Sequence, residues 1–275
     1  MDNRRLIGKA HEKNHGLFVM GSEVLKFEEY TGKTVFVTGA SSGIGKAQAI
    51  AFLENGANVF GFDLEEGGLI SINQKYGARF AYSIGSVCIK SDVVQAFEDA
   101  VATFKQIDIL LNTAGVLDGF AKTLDTDEDL WDKIMNTNVK GTYFVTNTIL
   151  PQMLKRKSGV IVNMASIAGL VAGGGGAAYT ASKHAIVGYT KQLDQDYCRE
   201  GIRANAIAPG AIQTPMNKAD FEGDGEIAKW VAKETPAGRW AQPNEVANLT
   251  LYLASQASDY IHGAVVPIDG GWIAR

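Results

Sequence analysis

Lys33-Thr34-Val35-Phe36-Val37-Thr38-Gly39-Ala40-Ser41-Ser42-Gly43-Ile44-Gly45 is the stretch that decides the fold. Its apolar run, closed at once by glycine, predicts a strand buried on both faces, as a parallel sheet provides. A helix through Asn55 follows. Gly39 permits a tight turn, Gly43 lets backbone approach a pyrophosphate, and Gly45 allows the helix to pack closely on the strand. Phosphates would then lie at the positive end of that helix, beside its free N–H groups. Glycines also serve plain turns, so the pattern alone is weak evidence. Its place between a buried strand and a helix favours a nucleotide site. A second strand, 58–62, ends on Asp63, whose carboxylate can accept both hydroxyls of a ribose.

The alternation continues outward. Strands are predicted at 79–83, 107–112, 159–164, 202–208 and 264–268, with helices at 91–104, 127–156, 179–199 and 244–255. Strands alternating with helices imply an α/β fold, a doubly wound parallel sheet covered on both faces. One such domain accounts for residues 32–275, and no repeat or linker marks a second. Residues 1–31 form an N-terminal extension of mixed character, with a short helix predicted at 4–13, breaks at Gly16 and Gly21, and no assigned chemistry.

Composition narrows the function. A net charge of −4 with no long basic run argues against nucleic-acid binding. No apolar run is long enough for a transmembrane helix, and Leu17 to Met20 is too short for a signal peptide, so the protein is expected in the cytoplasm. Cys88 and Cys198 lack metal spacing and are expected as buried thiols in a reducing compartment. His11 and His15 stand four apart without a third ligand, so no metal site is predicted.

The chemistry is concentrated in Ser166–Lys183, SIAGLVAGGGGAAYTASK. On a helix Tyr179 and Lys183 share a face, roughly 6 Å apart. Ionising a free tyrosine at neutral pH costs about 4 kcal/mol. A neighbouring ammonium lowers that cost and fits the phenol for general acid–base work. Ser166, after the apolar run 159–164, could hold a substrate oxygen beside it. A lone Tyr–Lys pair at this spacing is more often a surface or packing pair; the surrounding motifs change the balance.

TGASSGIG at 38–45, NTAG at 112–115, Asn138 in NTNVKGTYF, Ser166, YTASK at 179–183 and PGAIQTPM at 209–216 together resemble a classical short-chain dehydrogenase/reductase over about residues 32–275. The resemblance implies a Rossmann-type fold and a catalytic set of Asn138, Ser166, Tyr179 and Lys183. In that set Tyr179 moves the proton, Lys183 lowers its pKa and binds the nicotinamide ribose, and Ser166 hydrogen-bonds the substrate oxygen. Asn138 supports a water that links Lys183 to solvent. Cofactor contacts are implied at Gly39, Ser41, Ser42, Gly43, Ile44, Gly45, Asp63, Leu64, Ser86 and Val87. Asn112, Ala114 and Gly115 would line the adenosine side, and Pro209, Gly210, Ile212 and Thr214 would fix the nicotinamide. A homotetramer is also implied.

Three departures stand out. Thr113 replaces the second Asn of the usual NNAG, Ser86 stands where an Asp usually meets the adenine, and the N-terminal extension is longer than usual. On the substrate side, residues 215–235 fall where the family places a mobile lid. Gly223 and Gly225 would either hinge it or end a short helix. Gly173 to Gly176 would either open one wall of the site to a bulky substrate or satisfy a loop backbone. Trp230, Trp240 and Trp272 are candidates for pocket or interface walls, core packing being the commoner fate. Asp63, with Ser42 and Leu64 offering no compensating cation, predicts NAD over NADP. The expected function is NAD(H)-dependent interconversion of a secondary alcohol and a ketone, a carbonyl reductase in one direction. The alternatives are a 3-oxoacyl-carrier-protein reductase and a non-catalytic dinucleotide-binding regulator.

Overall fold

The computed structural model describes residues 25–275. The helix expected at 4–13, its flanking glycines, His11 and His15 lie outside them. In chain order the elements are β1 (Thr34–Thr38), α1 (Gly43–Glu54), β2 (Asn58–Asp63), α2 (Leu69–Tyr76), β3 (Phe80–Ile84), α3 (Lys90–Phe104), β4 (Ile109–Asn112), α4 (Glu128–Met135), α5 (Thr142–Arg156), β5 (Gly159–Met164), α6 (Ala177–Tyr197), β6 (Ile202–Pro209), α7 (Glu226–Glu234), α8 (Pro243–Ala254) and β7 (Val265–Ile268). All strand pairs are parallel, in the order β3-β2-β1-β4-β5-β6-β7. The chain runs outward from β1 to β3, then crosses back to β4 and continues the other way. β1 and β4 therefore flank a topological switch point, where a crevice opens beyond the carboxyl ends of the strands.

The period-two alternation of each strand feeds two cores. Val35 and Val37 of β1 face one core with Phe52 and Leu53 of α1, Leu69 and Ile72 of α2, and Val246 and Leu251 of α8. Phe36 faces the other, with Val93 of α3, Val145 and Ile149 of α5 and Leu193 of α6. Burial on both faces is why β1 shows no polar alternation, and each large side chain so buried contributes about 1.5–3 kcal/mol. Tyr30 joins the first core: it is buried, meets Phe52 edge-on, and donates its hydroxyl to the Leu251 carbonyl. Among the described residues no helix is long and apolar enough to cross a membrane.

The structure corrects four expectations. Strand limits move by one or two residues, as at β4, which begins at Ile109. α2 was not anticipated, since eight residues are too few to show a clear period. The single helix predicted at 127–156 is two helices joined by a π-helical turn at Asn136–Gly141. Such insertions often mark functional sites. Here Asn138 is turned inward and Gly141 presses on Val87, so closely that a Cβ would lie 2.7 Å from the valine side chain. Cys88 and Cys198 are free but only partly buried. Cys88 lies in the loop between β3 and α3, and Cys198 in the short turn that ends α6.

Candidate active site

The glycine turn after β1 forms one wall of the crevice. Gly39 has φ +70°, and a Cβ there would meet the backbone of Ala114 at 3.0 Å. At Gly45 a Cβ would lie 2.1 Å from the Gly39 carbonyl oxygen. Gly43 has φ +51°, and the Thr214 side chain would be 3.4 Å from its Cβ. Hence the segment after β6 lies over the turn and narrows the crevice from the opposite side. Ser42, the N-cap of α1, makes no side-chain capping bond. A glycine-walled cradle at an uncapped helix N-terminus fits the pyrophosphate of a dinucleotide. Asp63 stands at the tip of β2, Oδ2 accepting from the Ser41 N–H at 2.9 Å and Oδ1 from the Glu65 N–H at 3.1 Å. That ties the carboxylate to the rim of the cradle. Leu64 beside it is largely exposed. Ser86 accepts the Cys88 N–H on its hydroxyl and donates its own N–H to Asp92.

The loop after β4 is held by groups that the sequence reading passed over. Thr38 Oγ1 accepts from the N–H groups of both Thr113 and Ala114, at 2.9 and 3.0 Å. The threonine of NTAG has its own partner: Thr113 Oγ1 donates to Gln48 Oε1 at 2.6 Å, and Gln48 Nε2 donates to Thr250 Oγ1 at 2.8 Å. This departure from NNAG thereby links the loop to α1 and α8 through a fully buried glutamine. Asn112 turns its amide into the core, donating to Thr146 and Asn163. Gly115 lies toward the reaction end: a Cβ there would be 3.2 Å from Asn138 Oδ1 and 3.6 Å from Lys183 Nζ.

Asn138, Ser166, Tyr179 and Lys183 converge at the ends of β4 and β5. The π-helical turn delivers Asn138, whose Oδ1 accepts the Val116 N–H at 2.8 Å while Nδ2 donates to the Val116 carbonyl and to Ser182 Oγ. Ser182 in turn donates to the Tyr179 carbonyl at 2.7 Å. Ser166 follows β5, accepts the Ala168 N–H on its hydroxyl at 3.1 Å, and lies near enough to the Tyr179 phenol to favour its ionised form. Lys183, 4% exposed, donates to the Met164 carbonyl at 2.8 Å and stands 5.4 Å from the centre of the Tyr179 ring. Burial pushes Tyr179 up to about 12; the Ser166 hydroxyl opposes this, and the charge of Asp118 adds to it. Burial pulls Lys183 down to about 8. The expected lowering of the phenol by the lysine is not found: burial sets the direction at both groups. At pH 7 Lys183 stays on the protonated side of that value.

Asp118 is the residue of this region that no motif announced. It is buried, and its carboxylate accepts N–H groups from Gly176 and Tyr179 at 2.9 and 2.8 Å. The glycines before Tyr179 have a steric cause. A Cβ at Gly175 would lie 2.4 Å from Tyr179 Cδ1, and one at Gly176 would lie 2.5 Å from Asp118 Oδ2.

Beyond β6, Gly210 sits so close to Asp269 that a Cβ would be 2.8 Å from its Cα, and Ile212 bridges to Ala241. Thr214 Oγ1 donates to Asn217 at 2.9 Å. Residues 215–235 hold a short helical segment, Pro215–Phe221, and then α7, joined through Gly223 and Gly225 at φ +61° and +62°. The left-handed conformation required between two helical segments accounts for both glycines. Trp240 packs on Phe221 and donates to the Ala228 carbonyl, whereas Trp230 is mostly exposed and meets Trp272 edge-on. His184 is exposed, bonded to the Thr180 carbonyl, and away from the site.

The enoyl-(acyl carrier protein) reductase family model matches residues 39–273. The chain is 38% identical over 248 residues to 3beta-hydroxysteroid dehydrogenase 2 of Eggerthella lenta, covering 88% of this chain and 95% of that one. It is 36% identical over 246 residues to the 3-oxoacyl-[acyl-carrier-protein] reductase FabG of Thermotoga maritima, covering 88% and 98%. Among solved structures, ElxO with NADP bound superposes with a TM-score of 0.83 at 29% identity, covering 88% of this chain and 99% of that one.

Proposed function

Since the chain belongs to the short-chain dehydrogenase/reductase family, we propose that it is an NAD(H)-dependent oxidoreductase that interconverts a secondary alcohol and a ketone, with Tyr179 as acid–base. The observation that carries this is the convergence of Ser166, Tyr179 and Lys183 at the end of β5, with Lys183 Nζ 5.4 Å from the centre of the Tyr179 ring and bonded to the Met164 carbonyl. In oxidation Ser166 orients the substrate hydroxyl and Tyr179 takes its proton as the carbon loses hydride; in reduction Tyr179 returns a proton to the carbonyl oxygen. When bound, the nicotinamide supplies the hydride acceptor or donor. Lys183 remains cationic below about pH 8 and stabilises the charge that develops on the phenol. Asn138 holds the loop at Val116 and, through Ser182, the first turns of α6. Gly39, Ser41, Ser42, Gly43, Ile44, Gly45 and Asp63 would hold the pyrophosphate and adenosine ribose, and Pro209, Gly210, Ile212 and Thr214 the nicotinamide side.

Preference for NAD rests on Asp63. A 2′-phosphate about 4 Å from this carboxylate would meet roughly 4 kcal/mol of repulsion at an effective dielectric near 20, before screening by solvent and salt. Similarity to the carrier-protein reductase of Thermotoga maritima keeps that substrate class as a second reading. Against it, Asp220, Glu222, Asp224 and Glu226 cluster in the segment after Thr214, a charge that disfavours a substrate carried on a phosphate-bearing arm. Turnover of graded alcohols, ketones and 3-oxoacyl thioesters, with each dinucleotide, tests the whole reading. A protein that binds dinucleotide and turns over none of them is a binding module. Exposed Trp131 and Tyr143 on α4 and α5 support assembly as a homotetramer; a monomeric mass by light scattering would count against that.

A further inference from the structure

We infer that Asp118 is the positioning residue of Tyr179: its carboxylate clamps the first turn of α6 to the loop after β4 and so fixes where the phenol stands. This rests on Tyr179 being the acid–base.

Three observations converge. First, Asp118 is 4% exposed and makes three backbone contacts: Oδ1 accepts the N–H groups of Gly176 and Phe120 at 2.9 and 3.2 Å, and Oδ2 accepts that of Tyr179 at 2.8 Å. The same loop accepts the Ala177 N–H on the Ala121 carbonyl at 3.0 Å. Second, α6 has no cap of its own. Its N-cap is Gly176, and any side chain at Gly175 or Gly176 would strike the Tyr179 ring or the clamp. A Ser, Thr or Asn at the N-cap is the ordinary solution; here that space is filled, and the cap comes from 58 residues away. Third, Asp118 has no ion-pair partner among the described residues. A buried carboxylate is costly unless compensated, and the compensation here is the N-terminus of the helix that carries Tyr179.

The carboxylate also acts by its charge. The groups facing the phenol are the Ser166 hydroxyl from the end of β5, Lys183 from α6, and Asp118 from the loop after β4, whose negative charge opposes ionisation of the phenol. Asp118 therefore trades phenol acidity for a fixed geometry.

The test is Asp118→Asn, which keeps one acceptor oxygen and removes the charge. The control is Asp127→Asn, in which another capping carboxylate, exposed and accepting the Leu130 N–H at 2.8 Å, is changed in the same way. In Asp118→Asn, kcat should fall about thirtyfold to a hundredfold, with the dinucleotide Kd within about threefold. The midpoint of the pH profile for alcohol oxidation should move to lower pH, because a charge that opposed the phenolate is gone. Asp127→Asn should change neither. An unmoved midpoint with kcat within about twofold in Asp118→Asn, or equal changes in both variants, overturns the inference. If Asp118→Asn does not fold, Asp118→Glu keeps the charge and lengthens the clamp. Its kcat should then fall about tenfold, and an unchanged kcat overturns the inference. If the parent turns over no alcohol or ketone, the acid–base reading fails separately. Ultraviolet titration of the phenolate, taken as the difference between each protein and its Tyr179→Phe form, then decides. A lower midpoint in Asp118→Asn supports the inference, and an identical one overturns it.

Discussion

At the β1–α1 end of the crevice the surface offered to a ligand is main chain: Gly39, Gly43 and Gly45 leave no room for, or forbid, side chains. At the β5–α6 end it is side chain: Ser166, Tyr179 and Lys183, braced by Asn138, Ser182 and Asp118. On the proposed function the first end recognises a constant group, a pyrophosphate, for which oriented N–H groups suffice. The second, on the same reading, must move a proton, which calls for titratable groups held in place beside the reacting atoms. It carries the cost of burying charge, visible in Lys183 pulled down to about 8. Damage to the first end should weaken binding, and damage to the second should slow chemistry.

Tyr179→Phe should separate the two ends most sharply. It deletes only the hydroxyl, so kcat should fall by about a thousandfold or more while calorimetry finds the dinucleotide Kd within about threefold. A variant within about tenfold of the parent, ~1.4 kcal/mol of barrier, would remove Tyr179 from the acid–base role. Gly45→Ala is the reverse case. Its Cβ would fall 2.1 Å from the Gly39 carbonyl oxygen, where only backbone can give way. The dinucleotide Kd should rise about a hundredfold, and stability should drop by about 1–3 kcal/mol in urea titration. Binding that survives intact would show that the cradle is not the cofactor site.

Smaller effects sharpen the contrast. Asp63→Ala should reduce the ratio of kcat/KM with NAD to that with NADP by roughly tenfold, through weaker NAD binding and relief of repulsion. A parent enzyme that prefers NADP would overturn the role of Asp63. Lys183→Met should abolish turnover yet stabilise the fold by about 1–2 kcal/mol at pH 7, part of the gain being offset by the lost bond to Met164. The sign follows from the depressed pKa. Below about pH 8 the folded state carries the full cost of a buried ammonium. Between there and the unfolded value near 10.5 the unfolded chain binds more protons, so the parent gains stability as pH rises. The stability gap between the two proteins should close by about pH 11.

The main-chain end was nearly all legible in the sequence, because glycine is a direct record of backbone need: Gly39 and Gly43 adopt positive φ, and Gly45 accepts a backbone contact. The doubly wound sheet was legible for a similar reason, since β1, β4 and β5 centre on the apolar runs Val35–Val37, Ile109–Leu111 and Val160–Val162. The side-chain end was legible only as far as its motifs reach. Asp118 carries no local signal; its partner Gly176 is distant in sequence, and only the fold brings them together. Gln48 is equally silent, a polar residue in α1 whose use appears once Thr113 and Thr250 flank it. The break in the helix predicted at 127–156 was hidden because a π-helical turn keeps the chain helical and changes only its hydrogen-bond spacing.

That turn has a consequence for how this chain can be lengthened or shortened. A π-helical turn is one residue in excess of what a straight helix needs. Deleting a single residue between 136 and 141 would leave an unbroken helix. Because the turn already absorbs the extra residue, the helices on either side would keep nearly their present faces. Ile134 would therefore stay buried on the core face, while Asn138 would lose the widened turn that carries it to Ser182. The same deletion in α3, which holds no extra residue, would turn one part of the helix by about 100° against the other and draw it in by about 1.5 Å. The six residues from Asn136 to Gly141 therefore set a phase: segments on either side can be aligned with a relative only if the extra residue is counted in both chains.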